Sequence, residues 1–513
     1  MSLTQVCDRE RGWSVVPELK ASQAVSQSVS QAVKLLAKVS TWQLTAGAAT
    51  LGLVLSAVAV ASAGPWDSSG QRTAEARRAA LQDAGGGADH GRGGRSGEPD
   101  AAPSAPSVLA APGGSVPGPT KAALAGVLDP LLKDPSLGRR STAAVVDAAT
   151  GERLYGKNSG DALTPASTTK LATAVAALSM PGSDHRIVTK TVLEPGSGSR
   201  EVVLVGGGDP TLTARKDAGG NASLRTLADA TAKKLKDSGT TEITLSYDTS
   251  LYSGPVLHPI GPNENLAPVS ALMADEARLD DSTSGTAPRA ADPAAAAART
   301  FAGLLKDRGI KTKGDPGPGK ASGRAEQLAK VSSPPVSALV ERMLTHSDND
   351  IAEALARQVT LATGGTASFD GAGAGVRKEL EKLGLPLSGT HFADGSGLDR
   401  SDKVSADLLT QVLARAADRG RPGLRPVLTG LPVAGFTGTL SKRYTDAADA
   451  AGIGLVRAKT GTLTGVNTLA GAVVDADGRL LVFAFMTDGT VNPAAAQSAL
   501  DRLASTVANC GCR

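Results

Sequence analysis

The chain has 513 residues, 60 of them Gly and 29 Pro, with 41% apolar residues, 3% aromatic residues and a formal net charge of +4. So small a charge, few aromatics and no basic tract give nucleic-acid binding no support. Three cysteines exclude a disulfide-dense scaffold and a four-Cys zinc site, and five scattered histidines contain no H-E-x-x-H pair.

Residues 44–63 carry no charged side chain. As a helix they would reach about 30 Å, the thickness of a bilayer core. Lys34 and Lys38 lie just before them, which places residues 1–43 in the cytoplasm by the positive-inside rule. Ala61-Ser62-Ala63 also has the small-x-small form of a signal-peptidase site. A transmembrane signal-anchor and a cleaved signal peptide both remain open, and a buried Ala-rich helix is the plainer alternative. Either of the first two exports the chain beyond residue 63, to a cell-membrane or a secreted location. Residues 64–118 mix Gly, Pro, Ala, Ser and charge without apolar periodicity. They bury too little to offset chain entropy and read as a disordered linker.

From residue 119 the pattern changes. Leu124, Val127 and Leu131 predict a helix over 121–132. Residues 142–154 read as two strands around a turn at 147–151. Thr164-Pro165 precedes a helix with Leu171, Val175 and Leu178 on one side. Residues 201–205 and 242–247 read as strands. Residues 224–235, 300–307, 336–344, 351–363 and 406–417 read as helices. Residues 469–474 and 480–486 form antiparallel strands around Asp477-Gly478. Asn492-Pro493 opens a last helix, with Asn as N-cap and Pro at the first helical position. Strands at both ends and helices between predict an α/β sheet in which the two ends of the region meet.

Three short clusters carry chemistry. Ser167 and Lys170 stand three apart at a helix start, so they share a face. A hydroxyl becomes a nucleophile only with a base in reach, and a helix N-terminus favours the resulting oxyanion. Alone, such a pair is as well read as a capping serine and a solvated lysine. Ser347-Asp348-Asn349 lies between two helices, where Ser can relay a proton and Asn can hold a carbonyl. The same residues also suit an ordinary N-cap. Lys459-Thr460-Gly461-Thr462 enters a strand, where Lys and Thr suit a carboxylate and Gly461 permits close approach. Alone, it reads as a turn before an edge strand. Together and in this order, S-x-x-K, S-D-N and K-T-G form the signature of penicillin-binding proteins and class A β-lactamases.

The chain resembles the D-alanyl-D-alanine carboxypeptidase/endopeptidase family, the type-4 low-molecular-mass penicillin-binding proteins. Residues 206–210 (GGGDP), 347–359 (SDNDIAEALARQV), 394–398 (DGSGL) and 459–463 (KTGTL) also carry the likeness, which spans about 120–507. The resemblance implies a β-lactamase/transpeptidase-like serine penicillin-binding fold with an inserted domain between the first and second catalytic motifs. The catalytic domain would be 119–184 plus 331–513, and the insertion 185–330. The resemblance implies Ser167 as acylated nucleophile, Lys170 as its base, Ser347 as proton relay and Asn349 as a clamp on the substrate backbone. It implies Lys459 for the electrostatics, Thr460 for the terminal carboxylate, Gly461 for close backbone approach, and the N–H groups of Ser167 and Thr462 as oxyanion hole. It implies no metal and no cofactor. The expected partners are peptidoglycan stem peptides, β-lactam antibiotics and, through the N-terminal segment, the cytoplasmic membrane.

A free lysine titrates near 10.4, so a basic Lys170 needs its pKa lowered by roughly three units, about 4 kcal/mol. Burial is expected to act there, with Lys459 as a like charge. Ser167 and Ser347 are farther apart than in class A β-lactamases, and no E-x-x-L-N follows Asn349. Slow release of a penicilloyl ester is therefore expected. The competing readings are a serine β-lactamase or esterase on the same fold, and a non-catalytic wall-binding protein. His346 beside Ser347 reads as bystander more than triad base, and Asp394 reads equally as turn residue or site residue. Cys510 and Cys512 could pair with each other or elsewhere.

Overall fold

The computed structural model describes residues 118–196 and 200–511. The expectations for 1–43, for the apolar run 44–63 and for the linker up to 117 therefore lie outside the described residues. Among the described residues no helix is long and apolar enough to cross a membrane.

Helix α1 (Lys121–Leu131) opens on Thr120, whose side chain accepts from the Ala123 N–H at 3.2 Å. Strands β1 (Arg140–Asp147), β2 (Arg153–Lys157) and β3 (Ala162–Leu163) come next. A single 3₁₀ turn, Ala166–Thr168, then leads into α2 (Thr169–Ala177). Beyond it lie β4 (Val188–Leu193), β5 (Glu201–Val205), α3 (Leu224–Asp237), β6 (Glu242–Asp248) and α4 (Pro293–Asp307). Short strands β7 (Lys311–Thr312) and β8 (Gly317–Pro318) precede β9 (Glu326–Ser332). Helices α5 (Val336–His346), α6 (Asn349–Ala362) and α7 (Phe369–Lys382) lead to β10 (Val404–Ser405), α8 (Ala406–Ala417) and the single turn α9 (Pro426–Thr429). The chain closes with β11 (Arg457–Leu463), β12 (Val466–Val474), β13 (Leu480–Asp488) and α10 (Pro493–Ala508).

One sheet has the order β11-β12-β13-β1-β2, so β1 near the start of the described region pairs with β13 near its end. Both faces of this sheet are covered, and alternate residues divide between them. On one face Ala144, Val146, Val482, Ala484 and Met486 join a core completed by α2, α5, α6, α7 and α8. On the other, Ala143, Val145, Leu481, Phe483 and Phe485 pack with residues of α1 and α10. A second, six-stranded sheet has the order β7-β6-β5-β4-β9, with β8 beside β6. Its parallel pair β5/β6 is joined through α3, and α3 and α4 bury Leu227, Ala228, Phe301 and Leu305 against it.

Strands β4 and β9 are not among the expected elements, and three further departures from the sequence reading show their cause. The helix expected over 300–307 begins two turns earlier, because Asp292 caps it by accepting from the Ala295 N–H at 3.0 Å. The helix expected from 351 begins at Asn349, with Asp348 as N-cap accepting from the Ile351 N–H at 3.0 Å. Helix α7 has no counterpart among the expected elements, since Gly371, Gly373 and Gly375 interrupt its pattern. A Cβ on Gly375 would stand 2.3 Å from Thr360 Oγ1, so the missing side chain is what lets α7 lie close on α6.

Candidate functional site

Each of the three clusters is fixed by a different element. Ser167 lies in the 3₁₀ turn before α2, directly after Ala166 at φ 49°. A non-glycine residue in this region is strained and has to be held by its surroundings. Thr468 on β12 helps, donating to the Pro165 carbonyl at 2.8 Å. Ser347 is the left-handed C-cap of α5 (φ 59°, ψ 40°), which turns the chain sharply into α6 and places Asn349 in its first turn. The edge strand β11 carries Lys459 to Thr462. A Cβ on Gly461 would stand 2.1 Å from Thr468 Oγ1 and 2.7 Å from the Pro165 carbonyl oxygen. Gly461 therefore serves to bring the strand against the turn that carries Ser167.

The three clusters meet. Lys170 Nζ lies 3.0 Å from Ser167 Oγ, and it donates to Asn349 Oδ1 at 2.6 Å and to the Ser396 carbonyl at 2.7 Å. Lys459 Nζ donates to Ser347 Oγ at 2.9 Å and to the Thr460 carbonyl at 2.7 Å. Thr460 Oγ1 lies 2.8 Å from Thr439 Oγ1. Gln497 Nε2 donates to Thr462 Oγ1 at 3.4 Å. A cavity of about 250 Å³ is lined by Ser167, Ser347, Asn349, Thr460 and Thr462, and by Asn265, Arg278, Thr286 and Arg289 from the 185–330 segment. A wider hollow of about 960 Å³ lies elsewhere, along Thr150, Arg415, Arg425 and Leu480. It contains none of the three clusters, so the smaller cavity is the candidate site.

Both lysines are fully buried. Burial lowers Lys170 to about 8, against the carboxylates of Asp394, Asp348, Glu353 and Asp402, which raise it. Burial drives Lys459 well below its ordinary value, and the charge of Lys170 lowers it further. The like-charge effect expected on Lys170 thus falls on Lys459, and burial is the cause at Lys170. Asp394 is held near 2, against its burial, by His258 and by the N–H groups of Gly397 and Asp399. Burial and the neighbouring Asp394 push Asp402 up to about 9.

The sequence does not single out Ser396, because its backbone carbonyl is what touches Lys170. Asn265 escapes for the same reason: its carbonyl accepts from Asn349 Nδ2 at 2.9 Å. Asp394 is a buried turn residue and does not line the cavity. It accepts from the N–H groups of Ser396 and Gly397, at 2.9 and 2.6 Å. His346 is exposed and lines the cavity. Cys510 is disulfide-bonded, and Cys7 and Cys512 lie outside the described residues.

Two buried acidic clusters have metal-ligand spacing, His258/Glu353/Asp394 and Glu276/Asp348/Asp350. In the first, Glu353 pairs with Arg357 at 2.9 Å and His258 with Asp394 at 2.9 Å. In the second, Asp350 pairs with Arg289 at 2.8 Å, and Glu276 with Arg278 at 2.8 Å and with Arg342. Arginines thus pair with Glu353 in the first cluster and with Asp350 and Glu276 in the second.

The family model for D-Ala-D-Ala carboxypeptidase 3 (S13) matches residues 124–287 and 279–509. The chain is 36% identical over 409 residues to carboxypeptidase DacB of Mycolicibacterium smegmatis, covering 78% of this chain and 86% of that one. It is 31% identical over 450 residues to a D-alanyl-D-alanine carboxypeptidase of Actinomadura sp. strain R39, covering 72% and 81%. Its fold matches the crystal structure of penicillin binding protein 4 from Haemophilus influenzae with a TM-score of 0.61 and 22% identity, over 73% of this chain and 98% of that chain.

Proposed function

Because the chain belongs to the D-Ala-D-Ala carboxypeptidase S13 family and acts as a serine D-Ala-D-Ala carboxypeptidase, we propose that Ser167 is its acylated nucleophile and Lys170 the base. The observation that carries this assignment is the set of partners around Lys170 Nζ. A neutral amine has two N–H groups and one lone pair. The Asn349 amide oxygen and the Ser396 carbonyl can only accept, so they take both N–H groups. The lone pair is left for the third neighbour, the Ser167 hydroxyl at 3.0 Å. Ser167 then attacks the carbonyl between the two D-alanines while its proton passes to Lys170. Ser347, bonded to Lys459, stands ready to protonate the leaving amine. Thr460 binds the terminal carboxylate, and the N–H groups of Ser167 and Thr462 take the developing oxyanion. Water then frees the acyl chain.

In this reading the substrate is the stem peptide of peptidoglycan. Penicillin, whose lactam offers the same nucleophile a carbonyl, forms a long-lived ester with it. β11 is an edge strand bridged on its outer side by residues 432–434 at Arg457 and Ala458, and the stretch beyond them suits an extended peptide lying alongside it. The enzyme would work outside the cytoplasmic membrane, delivered there by residues 44–63 as anchor or signal.

Intact-protein mass of the full chain with benzylpenicillin, followed over hours beside Ser167→Ala, tests the assignment. A lasting adduct of one penicilloyl mass, absent in the variant and accompanied by D-alanine release from a pentapeptide substrate, is the expected result. Penicillin consumed without a lasting adduct would point to a β-lactamase. An adduct persisting in Ser167→Ala would refute Ser167 as nucleophile.

A further inference from the structure

A Lys170 lone pair aimed at Ser167 needs two acceptors held still, and each is held from the 185–330 segment. Asn349 Nδ2 donates to the Asn265 carbonyl at 2.9 Å, which turns Oδ1 toward Lys170. The Ser396 carbonyl belongs to a turn wrapped on the Asp394 carboxylate. Asp394 accepts from the N–H groups of Ser396 (2.9 Å), Gly397 (2.6 Å) and Asp399 (2.8 Å), and from Ser396 Oγ (3.2 Å). His258 Nε2, from the 185–330 segment, completes the set at 2.9 Å from Asp394 Oδ2, and both side chains are buried.

His258 is itself fixed. Its Nδ1 accepts from the Ile260 N–H at 3.2 Å, which leaves the proton on Nε2, facing Asp394. Its ring meets Phe369 edge-on at 5.1 Å, and Phe369 lies under the Arg357 guanidinium at 4.3 Å. Arg357 pairs with Glu353, whose other oxygen accepts from the Gly395 N–H at 3.0 Å. The charged groups facing His258 are Asp394, Glu353 and Asp399, which raise its pKa against burial. In either protonation state Nε2–H donates to Asp394.

We propose that His258 is a positioning residue for the catalytic lysine: by donating to Asp394 it fixes the 394–399 turn, so that the Ser396 carbonyl takes one Lys170 proton and the lone pair faces Ser167. The inserted segment is then part of the acylation machinery as well as a wall of the substrate cavity. This proposal rests on the reading of Lys170 as base given above.

The test compares His258→Gln with His258→Asn in the full chain. The Gln amide nitrogen stands about as far from the backbone as His Nε2, and the Asn nitrogen falls short of Asp394. Both variants are polar and differ by one methylene, and thermal unfolding checks their fold. Acylation by a fluorescent penicillin is followed at pH 9.5, above the Lys170 titration, so that geometry is read apart from protonation. The first-order acylation constant of His258→Asn should fall by roughly 10- to 100-fold, the scale of a 1 Å misplacement of a reacting group. The non-covalent dissociation constant should stay put, and His258→Gln should recover to within about threefold of the native rate. Equal acylation constants for the two variants, whether native-like or slow, would overturn the proposal, as would a loss confined to non-covalent binding. Failure of the underlying reading is seen separately, as native protein that is not acylated or Ser167→Ala that is.

Discussion

A lysine stripped of water loses most of the reason to stay charged. Lys170 is fully buried, and that burial brings it to about 8 although four carboxylates oppose the change. Only its neutral form can take the Ser167 proton. The acylation rate should therefore rise about tenfold per pH unit below 8 and level off above it. Stopped-flow acylation by penicillin from pH 6 to 10 checks the sign. A rate that falls across this range, or a midpoint near the free-lysine value, would contradict Lys170 as base. That the lettered clusters come together is legible from the sequence: Ser167, Ser347, Asn349, Thr460 and Thr462 line one cavity, Lys170 bonds to Ser167 and Asn349, and Lys459 bonds to Ser347. The parts supplied by backbone oxygens, Ser396 and Asn265, are not. A carbonyl is present at every residue, and nothing in the letter says where it points. The direction of the effect between Lys170 and Lys459 is hidden for a related reason. Sequence shows which charges exist, but only burial decides which of two neighbouring lysines yields more.

Local capping signals read well when the residues after them repeat apolar spacing, and poorly when they do not. Asn492-Pro493 and Asp292-Pro293 are the same device, an acceptor side chain followed by a residue without an N–H. The first is readable as a helix start because Leu500 and Leu503 sustain the pattern beyond it. The second is not, because five alanines follow Pro293 with no leucine among them. Those alanines are mostly buried against β6, so small side chains were the condition for packing there. Strand β9 escapes for the opposite reason: only Ala329 of its seven residues is buried. Since Asp292 Oδ1 satisfies the Ala295 N–H, Asp292→Ala should cost about 1 kcal/mol. The loss should appear as a lower unfolding midpoint in urea with penicillin acylation of the folded protein unchanged. An unaltered midpoint would show that the cap contributes nothing to α4.

At the scale of the whole molecule, the sheet whose ends meet is readable from two strand pairs and their turns, because both faces are apolar and alternate. How the 185–330 segment attaches is not readable, because the joint sets ion pairs and a backbone hydrogen bond beside a small apolar cluster of Leu266, Val269 and Phe369. Glu276 meets Arg342 of α5, Asp350 of α6 meets Arg289, and Gln358 of α6 donates to the Gly207 carbonyl at 2.9 Å. Burying so many acids has a consequence for stability. Burial pushes Asp209 and Asp350 up to about 6 and Glu276 up to about 8, and Asp402 stands at about 9. Unfolded carboxyls titrate near 4, so between about pH 4 and these values the native state holds more protons than the unfolded state. Stability then falls as pH rises through this window. Asp394 acts the other way but lower: its contribution is present above about 4 and lost as pH falls through about 2. Lys170, at about 8 when folded, favours the native state only as pH rises from there toward 10.5. The protein should therefore melt at a higher temperature at pH 5 than at pH 8. Asp209 isolates the cause. One of its oxygens accepts from the Thr211 N–H and hydroxyl, at 2.9 and 2.7 Å, while the other is buried without a hydrogen-bond partner. Asp209→Asn keeps the first oxygen and removes the charge. A carboxyl moved from about 4 to about 6 is worth roughly 3 kcal/mol of pH-linked stability across that interval. Calorimetry of the variant should show a flatter decline between pH 4 and 6. A native protein more stable at pH 8 than at pH 5, or an Asp209→Asn variant with an unchanged slope, would mean that these acids are relieved of their burial in a way the joint between the two sheets does not display.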